Sequence, residues 1–274
     1  MFSAFAGSLA TLQDYAVSLP PCPLTGGLPT PAPVWLNPLH LDSEPFLSLL
    51  HRLDKAAYGP LGLDMPRWAM FDCGELPGVV TGFAAPAAQL SPLARHLLAV
   101  APDYTGLVPL SMAILIPHPH PGGWFCYSLC SVNDIAPGAG PGQLRLLTLA
   151  TALLRLQTQN FWGITQWRSP TMRVFQRLGP LQLVCAYTPA HSEWKTVSFC
   201  KALDPQSLHR LLAGQQPPTP TPEFWLDCDD VQALMALQQR LEQGESLLVC
   251  GPPKLEGDRT LYPIAPKSPR PEAP

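Results

Sequence analysis

Charged residues are scarce in this chain, and the signals of several broad protein classes are missing. Asp, Glu, Lys and Arg make up 14% of the 274 residues, and the formal net charge is −3; soluble proteins average about a quarter. No long basic run is present, which argues against a nucleic-acid backbone as a partner. The most apolar stretch, residues 106–117, falls short of the about 20 residues that a membrane-spanning helix needs. We therefore expect no nucleic-acid or membrane partner.

Signals of secretion are also lacking. The first residues contain no basic segment of the kind that opens a signal peptide, and they include Asp14. The eight cysteines form no Cys-x-x-Cys pair, so we interpret them as reduced and mostly buried. A cytoplasmic protein is the expectation.

Hydrophobic residues and prolines are plentiful. Hydrophobic residues reach 46%, enough for a sizeable core, and the 35 prolines crowd residues 20–33, 215–222 and 263–274. The chain is predicted to divide into an N-terminal arm (1–33, with a short helix at 2–15), a main domain (34–203), a helical extension (204–251) and a disordered, proline-rich tail (252–274). The extension at 204–251 either packs on the main domain or contacts a second copy or a protein partner.

Hydrophobic patterning predicts strands and helices in mixed order, which favours a three-layer α/β or α+β domain. Glu75 falls in the tip of a predicted hairpin, between the strands at 67–72 and 79–84. The other predicted strands are 34–41, 107–116, 124–132, 161–167, 181–188 and 194–203, and the predicted helices follow residue 42, span 91–100 and 143–160, and run from 170 to 179.

A glycine-rich loop joins the strand at 124–132 to the helix at 143–160. Gly138, Gly140 and Gly142 alternate along it. Glycines let backbone N–H groups approach a ligand closely, and a helix N-terminus adds unpaired donors and a positive dipole end. The pattern is typical of an anion cradle, although a surface turn in a proline- and glycine-rich chain explains it equally well.

The same stretch resembles the signature of the GNAT (GCN5-related) N-acetyltransferases, Val-x-Pro-x-x-(Arg/Gln)-Gly-x-Gly-x-Gly. Val132 and the glycines stand at the family's spacing, whereas Asp134 replaces its Pro and Pro137 its Arg or Gln. The resemblance covers residues 34–203 and implies a central mixed, largely antiparallel sheet flanked by helices. It also implies acetyl-CoA or another acyl-CoA as cofactor, with the pyrophosphate held by main-chain N–H groups. The implied cofactor-binding residues are Ser131, Val132, Gly138, Ala139, Gly140, Gly142, Gln143 and Arg168.

Catalytic groups are harder to match to the family. Phe175 stands where the family places the Tyr that protonates the leaving thiolate, and Tyr187 is a substitute. The strand at 124–132 has no carboxylate to act as base. The remaining catalytic candidates are Asp134, at the loop mouth, which either orients an amine or caps the turn, and Glu75. His191 and Glu193 lie where the family often builds its acceptor pocket.

No metal site is expected. His118 and His120 alternate with prolines but lack a third ligand, so we interpret them as solvated loop residues.

Three functions are weighed. The first is an acyl-CoA-dependent N-acyltransferase acting on an unidentified amine. The second is a catalytically silent GNAT-like fold that serves as a binding or assembly module, favoured by Phe175 and Pro137. The third is a nucleotide-phosphate-binding protein, which lacks the Lys-Ser/Thr of a P-loop.

Overall fold

The computed structural model describes residues 3–7, 44–75, 78–140, 142–188 and 195–267, and its strands join in one sheet. The order across the sheet is β1-β2-β4-β5-β6-β8-β7-β10-β12-β11, with β3 paired to β2 and β9 to β12. The strands are β1 (Ser3–Gly7), β2 (Val79–Pro86), β3 (Leu107–Pro109), β4 (Ser111–Pro117), β5 (Gly123–Ser131), β6 (Asn160–Gln166), β7 (Leu181–Cys185), β8 (Thr196–Ala202), β9 (Phe224–Asp227), β10 (Leu247–Val249), β11 (Lys254–Glu256) and β12 (Arg259–Pro266). The helices are α1 (Glu44–Tyr58), α2 (Arg67–Glu75), α3 (Pro92–Leu97), α4 (Val132–Ile135), α5 (Leu144–Arg155), α6 (Pro170–Gln176), α7 (Pro205–Leu212) and α8 (Val231–Glu242).

Helices cover both faces of the sheet at its centre. Met112, Ala113, Ile114 and Leu115 follow one another along β4, and each is 0% exposed. Successive strand side chains point to opposite faces, so both faces are covered; α1, α2 and α5 all contact β4. Pair β5–β6 is parallel, and the other strand pairs among the described residues are antiparallel. The predicted α/β (α+β) fold, with a mixed, largely antiparallel sheet flanked by helices, is confirmed.

Two elements of the N-terminal half differ from the prediction. Residues 3–7 form a strand on the edge of β2 instead of the start of a helix, and Phe5 packs edge-on against Phe46 in the core. Residues 67–72 belong to helix α2, where Met70 and Cys73 are buried at helical spacing. Glu75 therefore ends a helix and does not lie at a hairpin tip. The strand predicted at 34–41 lies outside the described residues.

Elements around the glycine loop follow the prediction closely. β5, β6, α6 and the antiparallel pair β7–β8 lie where expected. The Ser91 hydroxyl accepts the N–H of Ala94 and so caps α3. The helix predicted at 143–160 ends earlier, at Arg155, since Gln157 adopts a φ of 49°. The strand predicted at 107–116 is divided at Leu110, whose N–H bonds to the Phe83 carbonyl.

The C-terminal residues extend the sheet. β10 pairs with β7, and β12 pairs with β10, β11 and β9. The prediction of a disordered tail is therefore wrong as far as residue 267, and the extension at 204–251 contains strands as well as helices. Among the described residues, no helix has both the length and the apolar character needed to cross a membrane.

Candidate active site

The parallel strands β5 and β6 separate partway along their length. Residues 123–126 of β5 pair with residues 160–163 of β6, and the pairing stops there although both strands continue. A bulge lies at the same point: Ile114 is opposite Ser128 and Leu115 is opposite Cys126, so Tyr127 is the extra residue on β5. A bulge bends its strand and increases the local twist. The two strands consequently enclose a wedge that opens toward the glycine loop.

A cleft of about 360 Å³ occupies this wedge. Ser128, Thr165, Gln166 and Phe175 are among its walls, which come from β5, β6 and α6. The end of α1 and the residues before α2 close the remaining side with Asp54, Tyr58, Leu61, Leu63, Asp64, Met65 and Pro66. Among the described residues that line the cleft, two are carboxylates and none is Lys or Arg.

Asp54 is a buried carboxylate at the cleft, with 1% of its surface exposed. It accepts the N–H of Met65 at 2.7 Å. Burial raises the pKa of Asp54 above its ordinary value, although the Met65 N–H, the nearby His51 and the Ser128 hydroxyl act in the opposite direction. A carboxylate whose pKa is raised by burial holds a proton more readily than a surface carboxylate does.

The Tyr58 side chain bonds to β5 beyond the point where the pairing of β5 with β6 ends. Its hydroxyl donates to the Leu129 carbonyl at 2.5 Å and lies 3.3 Å from the Leu129 N–H, which donates to it. Burial raises the pKa of Tyr58, so the phenol stays protonated. Beside it, the buried Ser128 Oγ lies close enough to Asp54 and Tyr58 to lower the pKa of both groups.

The start of the glycine loop is held by its own side chains. Asp134 accepts the Ser131 N–H at 2.7 Å and forms an ion pair with Arg145 at 3.0 Å. Asn133 Oδ1 accepts the Gly140 N–H at 2.9 Å. Of the two roles considered for Asp134, the structure shows the cap, on α4. Burial raises the pKa of Asp134 more than Arg145 and Ser131 lower it.

The three glycines differ in what surrounds them. A Cβ at Gly140 would stand 2.6 Å from Val132 Cγ2, so this glycine is required by packing inside the loop. Gly138, with a φ of +82°, and Gly142 both face open space. Helix α5 begins two residues after Gly142, and the N–H groups of a helix's first turn have no partner within the helix. The outer side of the loop is thus the side that a ligand can approach.

Several predicted site residues lie elsewhere. Arg168 forms an ion pair at 2.5 Å with Asp229 of the C-terminal extension. Tyr187 packs against the core after β7 and is not among the residues that line the cleft. Gln143 is exposed, with a φ of 56°, at the start of α5. His191 and Glu193 lie outside the described residues.

Phe175 and the two cysteines of β5 are buried packing residues. Phe175 is 2% exposed and packs against Phe161 and Phe199, with ring centroids 5.6 and 5.1 Å away. Cys126 and Cys130 are buried, and burial raises the pKa of the Cys126 thiol to about 12. Neither is poised as a nucleophile, because the reactive form is the thiolate.

The histidine pair belongs to an aromatic stack. His118 lies 4.2 Å from the Trp162 ring, centroid to centroid, and His120 lies 5.0 Å from His118. No group of three or more potential ligands suited to a metal ion occurs among the described residues.

Asp54, Tyr58 and Ser128 are the cleft residues that the patterning did not single out. A signal for the first two is present, because Phe46, Leu50, Asp54 and Tyr58 follow one another at four-residue spacing on α1. Such spacing puts a carboxylate and a phenol on the stripe that the apolar residues bury.

No protein-family model matches the chain, and no curated protein sequence is similar to it. Among solved structures, the ribosomal-protein-S18-alanine N-acetyltransferase of Escherichia coli is 8% identical with a TM-score of 0.39, over 59% of this chain and 90% of that one. The NatC complex bound to Gag peptide and CoA is 13% identical with a TM-score of 0.39, over 61% and 97%. The aminoglycoside 6′-N-acetyltransferase of Enterococcus faecium is 11% identical with a TM-score of 0.37, over 59% and 93%. At values this low, the residues of the cleft must carry any inference about activity.

Proposed function

We propose that this protein is an acyl-CoA-dependent N-acyltransferase that acts on a primary amine in the wedge between β5 and β6. The observation that carries the proposal is the separation of the two strands at the Tyr127 bulge, which opens a cleft of about 360 Å³ beside a buried carboxylate. Acyl transfer needs a donor and an acceptor held side by side and a group that removes a proton. The wedge offers space for the donor and the acceptor, and Asp54 is the group that removes the proton.

The loop fits an acyl-CoA in part. Gly138 and Gly142 leave the outer side of the loop open, and the first N–H groups of α5 point out of the helix as donors for a pyrophosphate. The amides of Ala139 and Gly140 are bonded to Ala136 and Asn133 and are not donors in this conformation. When bound, the cofactor supplies an activated acyl thioester.

Asp54 is the proton acceptor in this proposal. The cleft is lined by two carboxylates and no Lys or Arg among the described residues, so it attracts an ammonium group. Transfer of a proton from the ammonium to the Asp54 carboxylate leaves a neutral amine with a free electron pair. The raised pKa of Asp54 brings its basicity nearer to what this transfer requires.

Ser128 and Tyr58 complete the polar wall. The Ser128 Oγ lines the cleft beside Asp54 and Tyr58 and offers the amine an oxygen that accepts a hydrogen bond. The Tyr58 Oη holds its proton against the Leu129 carbonyl, on the same wall. We propose Tyr58, and no longer Tyr187, as the phenol that donates a proton in the cleft, a role that Phe175 cannot fill.

The test is acetyl transfer from acetyl-CoA to a panel of amines (alkylamines, spermidine and short peptides with a free N-terminus), followed by release of the CoA thiol. Asp54→Asn keeps an oxygen for the Met65 N–H and removes the base, and we expect kcat to fall by about 100-fold or more. Asp103→Asn makes the same charge change at an exposed residue that does not line the cleft, and should leave kcat within about threefold. Equal rates in the two variants would remove Asp54 from the mechanism; no transfer to any amine by folded protein would contradict the proposed activity.

A second candidate is a silent GNAT-like fold that acts as a binding or assembly module. It is favoured by the internal bonding of main-chain donors along the wedge: Leu129 with Tyr58, Ser131 with Asp134, and Gly140 with Asn133. If these contacts close the site, Asn133→Ala should create or strengthen CoA binding by freeing the Gly140 N–H. An active wild type that Asn133→Ala weakens would rule this candidate out.

A further inference from the structure

A second pocket, of about 790 Å³, lies away from the wedge, between the end of α6, strand β8, helix α7 and the proline-rich residues 214–220. Arg177, Lys201 and Arg210 line it. No carboxylate does so among the described residues. The remaining walls are largely apolar, including Leu178 and Leu211. Volumes of this size are typical of sites for small ligands.

Lys201 enters the pocket from the buried side of the sheet. Val197, Phe199 and Lys201 alternate along β8 and so share one face, and the first two are 0% exposed. The point that a Cβ on Gly179 would occupy lies 3.1 Å from the Lys201 Nζ and 3.3 Å from the Pro217 ring. The ammonium has no hydrogen bond or ion pair in the described part of the chain. Burial lowers the pKa of Lys201, as expected for a cation that lacks a counter-charge.

The two arginines add to this unbalanced charge. Arg177 Nε is buried and has no acceptor among the described residues. Arg210 lies 3.8 Å from Asp204, and both side chains are 58% exposed, so the contact neutralises little. Lys201 and Arg177 thus lie at the pocket without a counter-charge among the described residues, and an anion bound between them would supply one.

We propose that this pocket is a binding site for a small, soluble phosphate ester. The phosphate contacts Lys201 and Arg177, Arg210 stands at the opening, and the prolines and leucines contact the ester's apolar part. A phosphate monoester carries close to two negative charges near neutral pH, which matches several cations better than one carboxylate does. The guanidinium of Arg177 suits the oxygens of a phosphate, which it can bind in pairs. This site is separate from the proposed transfer site and does not depend on it.

The test is calorimetric titration with phenyl phosphate and with inorganic phosphate at low ionic strength. We expect phenyl phosphate to bind more tightly than inorganic phosphate, because its ring contacts the apolar wall. Lys201→Met should weaken phenyl phosphate binding by about 10-fold or more, as loss of a charged hydrogen bond predicts. Lys55→Met removes an exposed lysine of α1 and should leave binding unchanged. Arg210→Gln, at a mostly exposed residue, gives a second variant if Lys201→Met fails to fold.

Two further arms separate the site from other phosphate sources. Gly142→Val alters the outer side of the glycine loop and should not affect phenyl phosphate; loss of binding there would place the anion at the loop and overturn the proposal. Sedimentation with phosphatidate vesicles that Lys201→Met abolishes would replace the soluble ester by a lipid headgroup. Equal affinity in wild type, Lys201→Met and Arg210→Gln, or no binding of either probe, would also overturn it.

Discussion

Gly140 and Val132 provide a quantitative test of how the glycine loop is built. The Cβ of Gly140→Ala would lie 2.6 Å from Val132 Cγ2, about 1 Å inside an ordinary carbon–carbon contact. Val132 is 0% exposed and β-branched, so it cannot rotate aside freely. Gly140 has no positive φ, so the cost is steric: we expect the free energy of unfolding to fall by about 1–3 kcal/mol.

A double-mutant cycle isolates that contact. Val132→Ala removes two buried methyl groups and should cost about 2 kcal/mol. The double variant should then be more stable than the sum of the two losses predicts, by about 1 kcal/mol or more, because the clashing methyl is gone and the new one fills part of the space.

Urea unfolding with linear extrapolation measures each variant. Gly142→Ala is the matched control: its Cβ meets nothing within 4 Å, and its effect should add to that of Val132→Ala within about 0.5 kcal/mol. Additivity of Gly140→Ala with Val132→Ala would refute the packing role assigned to Gly140.

Three further outcomes follow from the structure. Tyr58→Phe leaves the N–H and carbonyl of Leu129 without the phenol and should lower the free energy of unfolding by about 1–3 kcal/mol, as urea unfolding would reveal. Burial raises the folded-state pKa of Asp54, so the stability that Asp54 contributes is fully present below its unfolded pKa and is lost as pH rises through its folded pKa. Asp54→Asn should therefore gain stability relative to wild type between pH 4 and pH 7. A difference in unfolding free energy that stays constant over this range would argue against burial of the charge. Ser91→Ala loses the cap on the Ala94 N–H and should cost about 1 kcal/mol by thermal unfolding.

Elements with strong local signals could be predicted from the sequence. Ser91 and Ser169 both precede a proline at the first helical position, and both cap helices in the structure. The strand, glycine loop and helix around Val132 also lie where the pattern indicated. In each case, short-range chemistry determines the conformation.

The missed elements depend on distant contacts. Residues 3–7 form a strand because β2 offers them an edge, which local pattern does not reveal. The proline-rich C-terminal residues appeared structureless, yet Pro263 lies within β12, where its carbonyl accepts the Cys250 N–H. Proline is tolerated in a strand where its missing N–H is not needed.

The elements beside the candidate site could be predicted from the sequence, whereas the side chains that line the cleft could not. The loop and β5 were identified from glycine spacing, whereas Asp54 reaches the cleft from α1, which the sequence separates from β5 by about 70 residues. Asp134 fits the pattern of a loop-mouth base, but only the structure reveals that Ser131 and Arg145 occupy it.

The most direct test of the proposed function is calorimetric titration of acetyl-CoA into the wild type and into Gly142→Val. Valine at residue 142 projects into open space on the outer side of the loop, so the variant should fold normally while its side chain blocks the approach to the α5 N-terminus. We predict micromolar binding by the wild type and a loss of about 10-fold or more in Gly142→Val, with Gly142→Ala in between. No binding by folded wild type, or equal binding by all three proteins, would contradict an acyl-CoA site in this wedge.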